Sequence, residues 1–145
     1  MSTGWLGQGL SIAVGLALAA KLDKKQHKIF CLMGNGEQQE GQIWEAAIEA
    51  GHFAFENRIG IIDCNRLQID GWVKDVMDIE PVAAKYLAFG WDVMPIDGHN
   101  MNQIVDSLQQ KAGVGKPVLI LADTVKGKGV SFIRDQAGWH GKART

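Results

Sequence analysis

The chain has 145 residues, 46% hydrophobic and 21% charged, which suits a folded domain with a sizeable core and excludes a disordered chain. A net charge of −1 offers no basic field for nucleic acid and no electrostatic attraction to an anionic membrane. Two cysteines, Cys31 and Cys64, lie in apolar runs without metal-ligand spacing and read as buried free thiols of a reducing compartment.

In chain order, the glycine-rich segment 4–9 opens a predicted helix over Gln8–Leu22, whose Ala and Gly residues allow close packing on more than one face. Its run from Leu10 to Ala20 resembles a signal-peptide core. No Lys or Arg precedes it, however, and it is short of the roughly 20 residues that cross a bilayer, so a buried helix and a cytoplasmic protein are expected. A strand follows over 28–33, then the turn Gly34-Asn35-Gly36 and a helix over 40–55 with Ile43, Ala46, Ala47 and Ala50 at helical spacing. The next strand is Arg58–Cys64, and the polar, Asp-rich stretch 65–80 reads as a long loop. Pro81 starts a helix that Gly90 stops. A strand over 91–96, the turn Asp97-Gly98-His99-Asn100, a helix over 101–111 and a strand over Val118–Asp123 complete the pattern, with His99 a turn and cap residue.

Helix and strand alternate, and the strands read as continuous apolar runs buried on both faces. The expectation is one α/β domain over residues 1–145, doubly wound, with a mostly parallel sheet, helices on both faces and an irregular tail from about 124. Such sheets bind ligands at the carboxyl ends of their strands, where the turn at 34–36 and the loop from 65 both fall.

Glycines at 34 and 36 permit positive φ and remove the Cβ that would block a phosphate, and the helix that follows adds N–H groups and positive dipole character. Asn35, Asn65 and a main-chain carbonyl such as that of Leu67 could supply oxygen to a hard divalent cation such as Mg²⁺ beside a diphosphate. Alone, the same turn also fits a structural strand-to-helix connection.

Several strings occur in order: Thr3-Gly4-Trp5-Leu6-Gly7-Gln8-Gly9-Leu10-Ser11, Gly34-Asn35-Gly36-Glu37-Gln38-Gln39-Glu40-Gly41, Leu67-Gln68-Ile69-Asp70-Gly71, Phe89-Gly90-Trp91, Asp97-Gly98-His99, Lys126-Gly127-Lys128-Gly129 and Trp139-His140-Gly141-Lys142. Through them the chain resembles, over nearly its whole length, the N-terminal, thiamine diphosphate-binding section of the transketolases. The resemblance implies that Gly4, Trp5 and Leu6 line the thiamine ring and diphosphate, and that Gly36 and Glu37 contact the cofactor. Asn35, Asn65 and the main-chain oxygen of Leu67 would ligate the metal, Mg²⁺ or else Ca²⁺ or Mn²⁺. Lys126 and His140 would stand near cofactor and substrate, His140 as a catalytic group. Glu40 would sit near a subunit interface and couple paired sites. Lys126 also fits a solvated loop lysine, His140 a surface histidine and Glu40 a helix-start residue.

The sequence departs from the family at Asn35, where a metal-binding Asp is usual, and at Trp5, where a smaller residue or Pro is usual. Losing a carboxylate at a dication site is expected to weaken metal and cofactor binding. The resemblance also implies an upstream segment and a second domain whose glutamate activates the aminopyrimidine. This chain is therefore expected to be truncated at its N-terminus and to need a pyrimidine-binding C-terminal transketolase subunit, in a homo- or hetero-oligomer. The implied activity is transfer of a two-carbon ketol unit between sugar phosphates. The alternatives are a non-catalytic truncated remnant or binding module, and an enzyme resembling deoxyxylulose-phosphate synthase.

Overall fold

The computed structural model describes residue 4, residues 6–109 and residues 115–142. Helix α1, Gln8–Leu22, buries Leu10, Ala13, Val14, Ala17 and Ala20 on one stripe. Strand β1, Ile29–Gly34, leads through a single 3₁₀ turn, Gly36–Gln39, into α2, Gly41–His52, which buries Ile43, Ala46, Ala47 and Ala50. Strand β2 is Arg58–Cys64.

The stretch expected as a long loop contains a small hairpin, β3 Leu67–Gln68 and β4 Gly71–Trp72, followed by one turn of helix, α3 Val73–Val76. Its anchors are the buried Leu67 and Val73, two apolar residues too isolated to leave a period in a polar sequence. Helix α4, Val82–Ala88, follows Pro81, and Gly90, at φ +87°, ends it. Strand β5 is Asp92–Asp97. Helix α5, Met101–Gln109, is capped by Asn100, whose Oδ1 accepts the N–H groups of Asn102 and Gln103. Its expected continuation to 111 lies outside the described residues. Strand β6 is Val118–Asp123.

The four long strands form one parallel sheet in the order β1-β2-β6-β5. On one face Cys31, Met33, Ile62 and Leu119 pack with the apolar stripes of α1, α2 and α4, Tyr86 among them, and with Trp91 just before β5. The other face carries Ile59, Val118 and Ile120, with Leu108 of α5 against them. Helices thus cover both faces, as expected of a doubly wound sheet.

The expectation that every strand is buried on both faces fails at the two edge strands: β5 has no fully buried residue, and β1 alternates, with Phe30 and Leu32 50% and 73% exposed. Helix α1 likewise leaves Leu16, Leu18 and Leu22 exposed. Among the described residues no helix is long and apolar enough to cross a membrane.

Candidate functional site

All four long strands run the same way, so Gly34, Cys64, Asp97 and Asp123 end at one edge. Gly34 is paired with Asp63, so Asn35 and Asn65 leave neighbouring strand ends. The 34–36 turn differs from its expected form: neither Gly34 nor Gly36 has positive φ, and Asn35 is right-handed helical at φ −65°. What Gly36 supplies is room. A Cβ on it would lie 2.9 Å from the Cβ of Gln68, and Gln39 Nε2 donates to Gln68 Oε1 at 2.7 Å. The turn is therefore pressed onto Gln68, so Asn35, Leu67 and Asn65 belong to neighbouring segments at one corner of the sheet edge.

Asn65 is held by two opposed hydrogen bonds. Its Nδ2 donates to Asp63 Oδ2 at 3.0 Å and its Oδ1 accepts the Leu67 N–H at 2.9 Å. A carboxylate needs a donor and an amide N–H needs an acceptor, so the carboxamide has one satisfactory orientation. The Thr124 hydroxyl donates to the other oxygen of Asp63. Asp63 belongs to the site although no motif singles it out. The signal for it is the Asp-x-Asn spacing, which puts both side chains on one side of an extended segment.

Asn35 is only 6% exposed, makes no side-chain cap, and its carboxamide takes no hydrogen bond from any described residue. A carboxamide without a partner among the described residues can offer its oxygen. With Asn65 and the Leu67 carbonyl it would make an all-oxygen, uncharged set, a kind that suits a hard cation whose charge is balanced by a diphosphate. Among the described residues no group of three His, Cys, Asp or Glu side chains could hold a metal. This donor set, of two carboxamides and a carbonyl, is of another kind.

Glu37 does not point away as a free carboxylate. Its Oε1 accepts the Gly7 N–H at 2.8 Å and its Oε2 the Gly34 N–H at 3.0 Å. It ties the amino-terminal segment to the turn, helped by Gln42 Nε2, which donates to the Leu6 carbonyl at 3.0 Å. Gly4 and Leu6 are exposed, and Trp5 lies outside the described residues. Glu40 is the half-buried residue before α2 and makes no side-chain cap.

Beside this corner is a cavity of about 430 Å³, lined among others by Asp63, Asn65, His99, Thr124 and Lys126. Lys126 has no ion-pair partner among the described residues. Its loop turns at Gly127, φ +69°, where a Cβ would meet the Ile133 carbonyl oxygen at 2.8 Å. His99, expected as a turn and cap residue, lies in the turn and lines the cavity, but the cap of α5 is Asn100. His140 is exposed after the 3₁₀ turn Ala137–Trp139 and does not line it.

Both cysteines are free, Cys31 buried and Cys64 half-buried. Burial pushes the Cys31 thiol up to about 11, against a smaller opposite pull from Arg58, and the Cys64 thiol up to about 12, with Glu80, Asp63 and Asp123 adding to it. They suit packing and not nucleophilic chemistry.

These features define a doubly wound α/β protein with its cavity at the carboxyl edge of a parallel sheet, where such folds bind ligands. The family model described as "Transketolase, thiamine diphosphate binding domain" matches residues 1–144, and the chain belongs to that family. It is 47% identical over 141 residues to the 6-deoxy-6-sulfo-D-fructose transketolase subunit SqwG of Clostridium sp. (strain MSTE9), covering 97% of this chain and 51% of that protein. It is 45% identical over 141 residues to an apulose-4-phosphate transketolase subunit of Phocaeicola vulgatus, covering 97% and 50%. Thus the chain spans about half the length of these two curated relatives. The crystal structure of transketolase from Campylobacter jejuni superposes with a TM-score of 0.88 at 38% identity, over 94% of this chain and 23% of that one.

Proposed function

We propose that the chain is the diphosphate-binding half of a transketolase-like enzyme that moves a two-carbon ketol unit between sugar phosphates. It would work in the cytoplasm with thiamine diphosphate, a divalent metal (Mg²⁺, or Ca²⁺ or Mn²⁺ in its place) and a partner chain carrying the pyrimidine-binding half, in a homo- or hetero-oligomer. The observation that carries this reading is the packing of the 34–36 turn on Gln68 at the strand ends, beside the cavity that Asn65 and Lys126 line. The subunit names of the curated relatives support the need for a partner.

Bound there, thiamine diphosphate would supply the electron sink that lets a carbon–carbon bond beside a ketone break. The chain's own residues do the holding. Asn35, Asn65 and the Leu67 main-chain oxygen take the metal, and Asp63 keeps the Asn65 carboxamide turned for it. Gly36 offers its backbone to the diphosphate, and Lys126 offsets its charge. Gly4, Trp5 and Leu6 cover the cofactor. Glu37 acts by fixing Gly7 and Gly34, so its influence on the cofactor runs through the backbone. His140 serves the substrate side and Glu40 the subunit contact.

Mixing the chain with a pyrimidine-binding transketolase subunit, thiamine diphosphate, Mg²⁺, a ketose phosphate and an aldose phosphate should give two-carbon transfer that EDTA abolishes. Full activity of the chain alone would refute the need for a partner. The uncharged Asn35 favours a second reading, a binding module without turnover. Cofactor binding by the mixture without any product would select it.

A further inference from the structure

The turn after β5 is latched to the segment after β6. The Gly98 N–H donates to the Asp123 carbonyl at 2.8 Å, and a Cβ on Gly98 would meet Thr124 Cγ2 at 2.5 Å, so the two segments touch. Within the turn, Asp97 Oδ1 accepts the His99 N–H at 2.9 Å. The next link is unusual. The Val125 N–H donates to His99 Nε2 at 2.8 Å, so a backbone amide is satisfied by an imidazole nitrogen. Val125 immediately precedes Lys126, and both line the cavity with His99. The link on the other side is weak: the Thr124 N–H reaches the Cys64 carbonyl at 3.5 Å.

A ring nitrogen accepts an N–H only while it carries no proton, so the latch requires neutral imidazole with its hydrogen on Nδ1. A second proton turns the acceptor into a donor facing a donor. We infer that His99 is a positioning residue: its neutral ring holds Val125, and through it the Lys126 loop, at the wall of the cavity, and protonation releases that loop. The charged groups around the ring come from every neighbouring element. They are Asp97 on its own turn, and Asp63 from β2 and Lys126, which line the same cavity; Asp123, on β6 opposite Asp97, is paired with Arg66. Only the imidazole is the acceptor for the amide, so its charge decides the link. The inference needs no ligand, and its test is independent of the proposed ketol transfer.

The test is amide hydrogen exchange of the chain by NMR, followed at Val125 across the pH range in which imidazole titrates and corrected for the intrinsic rate. In the wild type, Val125 should be protected at neutral pH and should lose that protection as the pH falls. His99→Gln places an acceptor oxygen at similar reach that does not titrate, so protection should persist and become independent of pH. His99→Ala should leave Val125 unprotected at every pH. Gly98, held by a carbonyl, reports whether the turn itself survives and should stay protected in all three proteins. Val125 protection that ignores pH in the wild type, or that survives in His99→Ala, would overturn the inference. So would parallel loss at Gly98, which would mean that the turn melts as a whole.

Discussion

Gly36→Ala tests whether the contact between the 34–36 turn and the β3 hairpin builds the site. The new methyl would sit 2.9 Å from Gln68 Cβ, whereas carbon atoms pack at about 3.5–4.0 Å, so the two segments must part by roughly 0.6–1 Å. Gln68 Cβ is fixed to the backbone of β3 and cannot swing aside. Overpacking of this kind costs about 1–3 kcal/mol, which should lower the urea midpoint by about 1 M. The effect on binding should be larger than that on stability. Mg²⁺ tolerates little departure from ligand distances of about 2.0–2.1 Å, so Mg²⁺-dependent thiamine diphosphate binding should weaken by at least about tenfold. Gly41→Ala is the control, since a Cβ there meets nothing within 4 Å and the residue opens α2. A double-mutant cycle with Gln68→Gly isolates the clash and should show a coupling of about 1 kcal/mol or more. Additive effects in both denaturation and calorimetry would refute the reasoning.

Restoring a carboxylate with Asn35→Asp should tighten Mg²⁺-dependent thiamine diphosphate binding by about tenfold or more, because a unit charge then meets the dication directly; equal affinities by calorimetry would sink this. Arg58 is fully buried, with Nε and Nη1 lacking any partner among the described residues, although its guanidinium lies 5.0 Å from the Trp91 ring and Nη2 donates to the Leu10 carbonyl. Burial pulls it down from 12.5 to about 10, so Arg58→Met should stabilise the fold by about 1–3 kcal/mol, read as a raised urea midpoint, and a lowered midpoint would contradict it. Below pH 9 both thiols are neutral folded and unfolded; above it the unfolded thiols ionise while burial holds the folded ones neutral, so stability should fall as pH rises from about 9 through about 11 and 12. Denaturation curves of a Cys31→Ala, Cys64→Ala variant should lose that alkaline slope.

The strands Arg58–Cys64 and Val118–Asp123 are legible to the residue, because a continuous apolar run of that length between polar ends fits little besides a buried strand. The hairpin at 67–72 is not, since two-residue strands are too short to show alternation and depend on Leu67 meeting a core assembled elsewhere. The sequence locates the turn at 34–36 but not the reason for its glycines. Composition says glycine, and only tertiary structure says whether the glycine serves φ or, as at Gly36, the nearness of another backbone. Asn35, Asn65 and Leu67 are proposed as a set from family resemblance and strand-end position. The contacts that Asp63 and the His99 ring make with Thr124 and Val125 leave no sign in the sequence, because only the folding of β6 beside β2 and β5 brings them near. The buried Arg58 leaves no local sign at all, since its cover comes from α1 and from Trp91.

The central claim is that Asn35, Asn65 and the Leu67 carbonyl form a metal corner for a diphosphate. Calorimetric titration of thiamine diphosphate into the chain, with and without Mg²⁺, tests it most directly, run on the wild type and on Asn65→Ala. The account predicts saturable binding that requires Mg²⁺ and weakens by at least about tenfold in Asn65→Ala. Binding indifferent to Mg²⁺, or unchanged in that variant, would contradict it.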